Sequence, residues 1–191
     1  MDLTYVVSVV KSLIEKIKKL FVPIATKHSI QTKTPETGNI IVINEENKNG
    51  MQRALEIAKG EIGTTEKSGK EQNPRIVEYH KTTTLQATDD ETPWCAAFVN
   101  WCLREAGMSG TGLASARSFL TWGREILPDE IQEGDIIVMG RTADPTKGHV
   151  GFFVGWTPDK FGFQLLGGNQ LNAVNIKEFD RGRIISIRRN A

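Results

Sequence analysis

Hydrophobic residues near the N-terminus recur at the spacing of an α-helix. Between Leu3 and Phe21 the apolar side chains form one stripe, and four lysines lie off it. The pattern predicts an amphipathic helix over residues 1–22, which is too interrupted by charge to span a bilayer. Two interpretations stay open: the helix docks on its own domain or on a partner, or it lies on a membrane surface through its basic face.

The hydrophobic pattern breaks after this helix. Pro23 ends it, and most of residues 23–50 is polar, without periodicity and rich in Thr, Lys and Pro. We interpret residues 23–50 as a linker, with one short apolar run at Ile40–Ile43 that fits a strand. A folded domain is then expected over residues 51–191.

The domain begins with helical spacing and continues with strands. Apolar residues from Ala54 to Ile62 predict a first helix that ends at Gly60 or Gly63, and Asn73-Pro74 opens a second. Later apolar runs, separated by turn residues, predict five strands: Ile136–Met139, Val150–Trp156, Phe161–Leu166, Ala173–Ile176 and Ile184–Ile187. Helices followed by strands indicate an α+β domain with an antiparallel sheet of about five strands.

Composition and charge narrow the classes of function. The formal net charge is +1, so no overall field attracts nucleic acid, and we expect no nucleic-acid partner. Cys95 and Cys102 are seven positions apart in one predicted helix, which is too far for a disulfide and is not a zinc-binding spacing. The acidic residues 89–91 are expected to form a solvated loop rather than a calcium loop. We therefore expect neither a metal nor a cofactor.

The N-terminal segment also bears on the compartment. It shows no cationic lead before an apolar core and no small-residue cleavage site, so a conventional signal peptide is not expected. A chain without a disulfide framework suits a reducing compartment. We expect synthesis in the cytoplasm.

Cys95 lies at the start of the best-marked helix. Thr92 fits the N-cap, Pro93 the first helical position, and Gly107 the stop. Cys95 then takes the third helical position, where unpaired backbone N–H groups and the helix dipole favour a thiolate. Many cysteines are only buried packing residues, an interpretation that suits Cys102 in mid-helix. Cys95 is the candidate nucleophile.

A nucleophilic thiol needs a base within hydrogen-bond reach. The chain has three histidines: His28, His80 and His149. His28 falls in the predicted linker, and His80 is expected at a helix end as a surface residue. His149 opens a predicted strand, where a rigid scaffold would hold it, and is the candidate base.

The histidine in turn needs an orienting group. A turn at residues 157–160 between antiparallel strands would bring Asn169 close to His149. Strict alternation puts Asn169 on the opposite face, so this hypothesis requires a bulge at Gly167-Gly168. Asn after two glycines also fits a simple turn residue.

The motifs around these residues resemble those of a known group of enzymes. In order, they are Pro93-Trp94-Cys95-Ala96-Ala97-Phe98, Gly134-Asp135, Gly148-His149-Val150-Gly151-Phe152 and Gly167-Gly168-Asn169-Gln170. They are similar to the motifs of cell-wall cysteine hydrolases of the CHAP (cysteine, histidine-dependent amidohydrolase/peptidase) and NlpC-type families, found in phage endolysins and bacterial autolysins. The resemblance runs from about Met51 to the C-terminus. Many relatives have Asp-Cys-Ser where this chain has Trp-Cys-Ala, and their third catalytic residue varies.

The resemblance implies a papain-like α+β fold with helices packed on an antiparallel sheet. It implies Cys95 as nucleophile, His149 as general base and Asn169 as orienting residue. Trp94 and Gln170 are candidates for substrate contact, and Trp94 fits equally well as a residue that packs the helix against the domain. The implied activity is hydrolysis of an amide bond of peptidoglycan through a thioester, as amidase or endopeptidase, in a phage endolysin.

Two alternatives stay open beside this hypothesis. One is a wall-binding or phage structural module that keeps the fold without turnover. The other is an antibacterial toxin of the same fold that is delivered into neighbouring cells. In the enzymatic interpretations the protein acts at the bacterial cell wall after release or delivery.

Overall fold

The computed structural model describes residues 45–141 and 144–191. The predicted helix over residues 1–22 and the predicted strand Ile40–Ile43 lie outside these ranges. Helix α1 spans Glu45–Gly60, so it ends at a predicted glycine, and the predicted boundary after residue 50 falls within it. No helix in the described ranges combines the length and hydropathy that a bilayer crossing requires.

Helix α2 spans Pro74–His80 and begins as predicted. The Asn73 side chain accepts a hydrogen bond of 2.9 Å from the Arg75 N–H, and Pro74 fills the first helical position. The expectation of a surface His80 was wrong, because the ring is fully buried. Neither ring nitrogen has a hydrogen-bond partner among the described residues.

Helix α3 spans Cys95–Glu105 and begins later than predicted. Trp94 rather than Thr92 is the N-cap residue, and no side chain caps the helix. The reason is Asp89, whose carboxylate accepts both the Thr92 N–H at 2.6 Å and the Thr92 hydroxyl at 3.1 Å. The Thr92 hydroxyl is therefore used in the preceding turn.

The described strands form one antiparallel sheet in the order β1-β6-β2-β3-β4-β5. Their bounds are Arg124–Glu125 for β1, Ile136–Arg141 for β2, Asp144–Trp156 for β3, Gly162–Gly167 for β4, Asn175–Asp180 for β5 and Ile184–Arg189 for β6. The predicted α+β fold with its antiparallel sheet is confirmed. The additional strand, β1, has two residues and is too short to show a hydrophobic period.

Both faces of the central strands are buried. Ile136, Val138, Val150 and Phe152 join the main core with α1 and α3. The alternate side chains form a second, smaller core: Ile137, Met139, Phe153, Phe163 and Leu165. This burial on both faces explains why the strands read as continuous apolar runs rather than as alternating patterns.

Asp135 links the neighbouring strands β2 and β6. Its carboxylate is almost fully buried and binds the Arg189 guanidinium through two hydrogen bonds, of 2.6 and 2.7 Å. This contact with Asp135 raises the pKa of Arg189. The Gly134-Asp135 motif therefore has a structural role: it fixes the start of β2 against the end of β6.

Candidate active site

Cys95 is the first residue of α3 rather than the third, and its side chain is 6% exposed. The N–H groups of the first helical turn have no intrahelical acceptor, so Cys95 lies in the positive field of the helix terminus. Cys102 lies further along the same helix and is fully buried. Burial raises the pKa of the Cys102 thiol well above its ordinary value, which keeps it protonated. Of the two thiols, Cys95 therefore remains the candidate nucleophile.

His149 lies on β3, where it pairs with Met139 of β2, and it is 5% exposed. Its ring is 6.0 Å from the ring of Phe179, centroid to centroid. Strand pairing on both sides of β3 fixes the backbone near the histidine, as predicted for a scaffold strand.

The side chain of Gln170 contacts the His149 ring. Its Oε1 lies 3.2 Å from Nε2 of His149. The Gln170 amide nitrogen donates to the carbonyl oxygens of Asn175, at 2.6 Å, and Leu165, at 3.3 Å. The amide nitrogen therefore faces these acceptors, and Oε1 is the atom turned to the histidine. Nε2 of His149 is then the donor, and Nδ1 of the neutral imidazole carries the lone pair.

Asn175 holds Gln170 in place from the next strand. Its side-chain oxygen accepts a second bond from the Gln170 amide at 3.0 Å, and its amide donates to the Gln170 carbonyl at 2.7 Å. The Gln170 N–H donates to the Ala173 carbonyl at 2.9 Å. These bonds leave the Gln170 side chain little rotational freedom.

The structure gives the orienting contact to Gln170 rather than to Asn169, the predicted residue. The bulge that sets the register lies between Phe153 and Gly155, and not at Gly167-Gly168. The chain leaves the sheet after β4, and Asn169 takes a left-handed conformation with φ 56°. Leu171 and Asn172 do the same, with φ 56° and 61°. Asn adopts this conformation readily and Leu rarely, so only part of this turn is predictable from its residue types.

Gly167 and Gly168 connect the histidine to the nucleophile helix. A Cβ atom on Gly167 would lie 3.2 Å from Nε2 of His149. A Cβ atom on Gly168 would lie 2.7 Å from Cε3 of Trp94, the residue before Cys95. Consecutive Cα atoms are about 3.8 Å apart, so one peptide unit borders both halves of the candidate site.

Trp94 belongs to the core, so it packs the helix against the domain, as one of its two interpretations expected, and does not contact substrate. It has no exposed surface. Its indole N–H donates to the Glu66 carboxylate at 2.8 Å, and its ring packs against Tyr79 and Phe98. Trp94 thereby anchors the start of α3.

The acidic stretch before Cys95 is not a solvated loop, because Asp90 is fully buried. One oxygen of Asp90 accepts the N–H groups of Lys67 and Asn73, at 2.9 and 2.8 Å. Asp90 therefore ties this loop to the start of α2. Within the described residues, no group of three or more His, Cys, Asp or Glu side chains is arranged to hold a metal ion.

A cysteine at the start of a helix, an antiparallel sheet that carries a histidine, and an amide side chain on the imidazole define a papain-like cysteine hydrolase fold. Residues 87–169 match the family model of the CHAP domain. The match contains Cys95, His149 and Asn169 and confirms the resemblance of the motifs.

Solved structures show the same fold. The P60 domain of an antigen from M. avium paratuberculosis aligns with a TM-score of 0.50 and 14% identity, over 77% of this chain and 97% of that domain. The peptidoglycan hydrolase RipB from Mycobacterium tuberculosis aligns with a TM-score of 0.51 and 14% identity, over 84% of this chain and 73% of RipB. The comparison with curated proteins gave no match.

Proposed function

We propose that this protein is a peptidoglycan hydrolase that cleaves an amide bond of the bacterial cell wall through the Cys95 thiolate, as a phage endolysin. The CHAP match over residues 87–169 supports the class of enzyme. The likeness in fold to RipB, which is a peptidoglycan hydrolase, supports the substrate.

The observation that carries the proposal is the contact of the Gln170 side-chain oxygen with Nε2 of His149 at 3.2 Å. It leaves Nδ1 as the basic nitrogen of the neutral ring. A base of defined tautomer and a cysteine at a helix start are two of the elements that nucleophilic catalysis requires.

In acylation, Nδ1 of His149 takes the proton of the Cys95 thiol, and the sulfur attacks the carbonyl carbon of the wall amide. The carbonyl oxygen becomes an oxyanion, and we assign the Cys95 backbone N–H, at the positive helix end, as one of its donors. When the C–N bond breaks, the imidazolium gives its proton to the leaving nitrogen. The first product leaves as an amine, and a thioester remains on Cys95.

In deacylation, Nδ1 of His149 accepts a proton from water, and the oxygen of that water attacks the thioester carbon. The C–S bond breaks, the carboxylic acid product leaves, and the imidazolium returns its proton to the Cys95 sulfur. Gln170 keeps its contact to Nε2 through both steps, so the ring does not need to rotate.

The test compares the two cysteines on purified peptidoglycan. Cys95→Ala is expected to abolish release of soluble fragments, whereas Cys102→Ala, a matched change in the same helix, retains hydrolysis. Thermal unfolding checks that both variants fold. Hydrolysis retained in Cys95→Ala contradicts the proposal, and wall binding without hydrolysis by the unmodified chain identifies a wall-binding module.

We further propose that the protein acts after release or delivery from the cytoplasm and that the basic segment of residues 1–22 contacts the membrane surface. Deletion of residues 1–23 should then impair lysis of intact cells and leave hydrolysis of purified walls unchanged. Equal loss of both activities contradicts the membrane role. Lysis only after delivery into neighbouring cells identifies a toxin rather than an endolysin.

A further inference from the structure

Beside His149, the sheet carries basic side chains stacked on aromatic rings. The Lys177 ammonium lies 5.6 Å and the Arg183 guanidinium 5.0 Å from the centre of the Phe179 ring. Phe179 is itself the aromatic neighbour of His149, at 6.0 Å. Two positive charges therefore share the ring that packs against the candidate base.

These two charges have no acidic partner within residues 45–141 and 144–191. Strand β5 does contain Glu178, which alternates with Lys177 and therefore projects from the other face. Glu178 accepts a hydrogen bond from the Gln164 side chain at 3.2 Å on that face. Asp180, at the end of the strand, accepts the Gly182 N–H. The positive charges are thus not neutralised locally.

Arg183 is fixed relative to His149. Its Nε and Nη2 donate to the Gly140 carbonyl at 3.3 and 3.1 Å. Gly140 pairs across the sheet with Gly148, the residue before the histidine. The guanidinium is half-buried, and its Nη1 has no acceptor in the described part of the chain. Nη1 is therefore the donor that Arg183 offers to a ligand.

We propose that Lys177 and Arg183 form a subsite for a free carboxylate of the peptidoglycan stem peptide. This inference rests on the proposed function, because it places the carboxylate on the same substrate whose amide Cys95 attacks. The Phe179 ring contacts both cations and the imidazole, so the subsite lies next to the candidate base.

The chemistry of the subsite favours a carboxylate. A guanidinium and an ammonium beside one aromatic ring together supply several N–H donors and two positive charges. Stem peptides carry free carboxylates close to their amide bonds. A stem peptide whose carboxylate is amidated has lost this negative charge. It would no longer be attracted to Lys177 and Arg183, although it would still contain the amide bond that is cleaved.

The experiment measures hydrolysis of two substrates by the full chain. The first is purified peptidoglycan stripped of teichoic acid, so that no wall phosphate contributes. The second is the same material with its carboxylates converted to methylamides. The unmodified protein should prefer the free-acid form by about five- to tenfold in kcat/KM, mainly through KM, as expected for two partly exposed charge contacts.

The double substitution K177Q/R183Q should reduce this preference to less than about twofold, mainly by a rise in KM for the free-acid substrate. Arg181→Gln is the matched control. Arg181 stacks on Trp156 at 4.7 Å, seven residues along β3 from His149, and this variant should keep the full preference. Equal activity of the unmodified protein on both substrates, or an undiminished preference in the double variant, overturns the subsite and leaves the hydrolase intact. Absence of hydrolysis of either substrate overturns the proposed function instead.

Discussion

Gln170 and His149 are joined by a contact of 3.2 Å between Oε1 and Nε2, and the Gln170 amide nitrogen is bound to Asn175 on the neighbouring strand. This arrangement fixes which amide atom faces the histidine. It therefore also fixes the imidazole tautomer, because a ring nitrogen that faces a carbonyl oxygen must carry the proton.

Replacement of Gln170 tests this relationship. Gln170→Ala should lower kcat on purified walls by about tenfold to a hundredfold, because the imidazole loses the group that sets its orientation and tautomer. Asn169→Ala, a change at the adjacent residue, should lower kcat by less than about threefold. Steady-state kinetics on purified walls measure both kcat values, and thermal unfolding checks that each variant is as well folded as the unmodified protein. A larger effect at Asn169 than at Gln170 would restore Asn169 as the orienting residue.

The two thiols should differ in their reactivity. Near neutral pH, iodoacetamide should modify Cys95 at least about tenfold faster than Cys102, because burial raises the pKa of the Cys102 thiol. Mass spectrometry of the peptides after timed quenching measures both rates. Both cysteines should react equally once the chain is unfolded in guanidinium. Equal rates in the folded protein would show that the helix start gives Cys95 no activation.

A side chain at Gly168 should destabilise the junction between β4 and α3. The added Cβ of Gly168→Ala would lie 2.7 Å from Cε3 of Trp94 and 2.8 Å from Cβ of Phe98. Overpacking of this kind costs about 2 kcal/mol in the free energy of unfolding. Urea unfolding measures the loss, and Gly155→Ala is the control, since its Cβ would meet no atom within 4 Å. Similar stabilities for the two variants would show that Trp94 moves aside without penalty.

His80 should make stability depend on pH. Burial lowers the pKa of His80, and the charge of Asp89 partly offsets this effect. The unfolded chain then binds a proton near pH 6.5 that the folded chain does not bind. Neutral, buried His80 therefore makes its full contribution to the free energy of unfolding above this pH. That free energy falls as the pH decreases toward the lower pKa of His80 in the folded state.

Titration of one group changes the free energy of unfolding by at most about 1.4 kcal/mol per pH unit. Urea unfolding between pH 5 and pH 8 measures it, and the His80→Leu variant should lose this part of the pH dependence. An identical pH dependence in both proteins would contradict the assignment.

The sequence alone was sufficient for the features that depend on local pattern. Period, turn residues and Asn73-Pro74 predicted the second helix and the five longer strands, and the order of motifs predicted the family of the domain. Local pattern predicted the wrong N-cap for α3. Thr92 is hydrogen-bonded to Asp89 in the preceding turn and therefore does not cap the helix. Local pattern also left two roles open for Trp94, cleft wall or packing residue, since burial depends on residues distant in sequence.

The sequence by itself determined which residue types are available for the chemistry: one cysteine at a helix start, one histidine at a strand, and an amide-rich turn after two glycines. Only the tertiary structure decided that Gln170 rather than Asn169 reaches the histidine. A one-residue change of register moves each side chain to the other face of a sheet, and the bulge after Phe153 and the left-handed turn at Asn169 set that register. The placement of Lys177 and Arg183 beside the same histidine likewise follows from strand pairing, which no local pattern specifies.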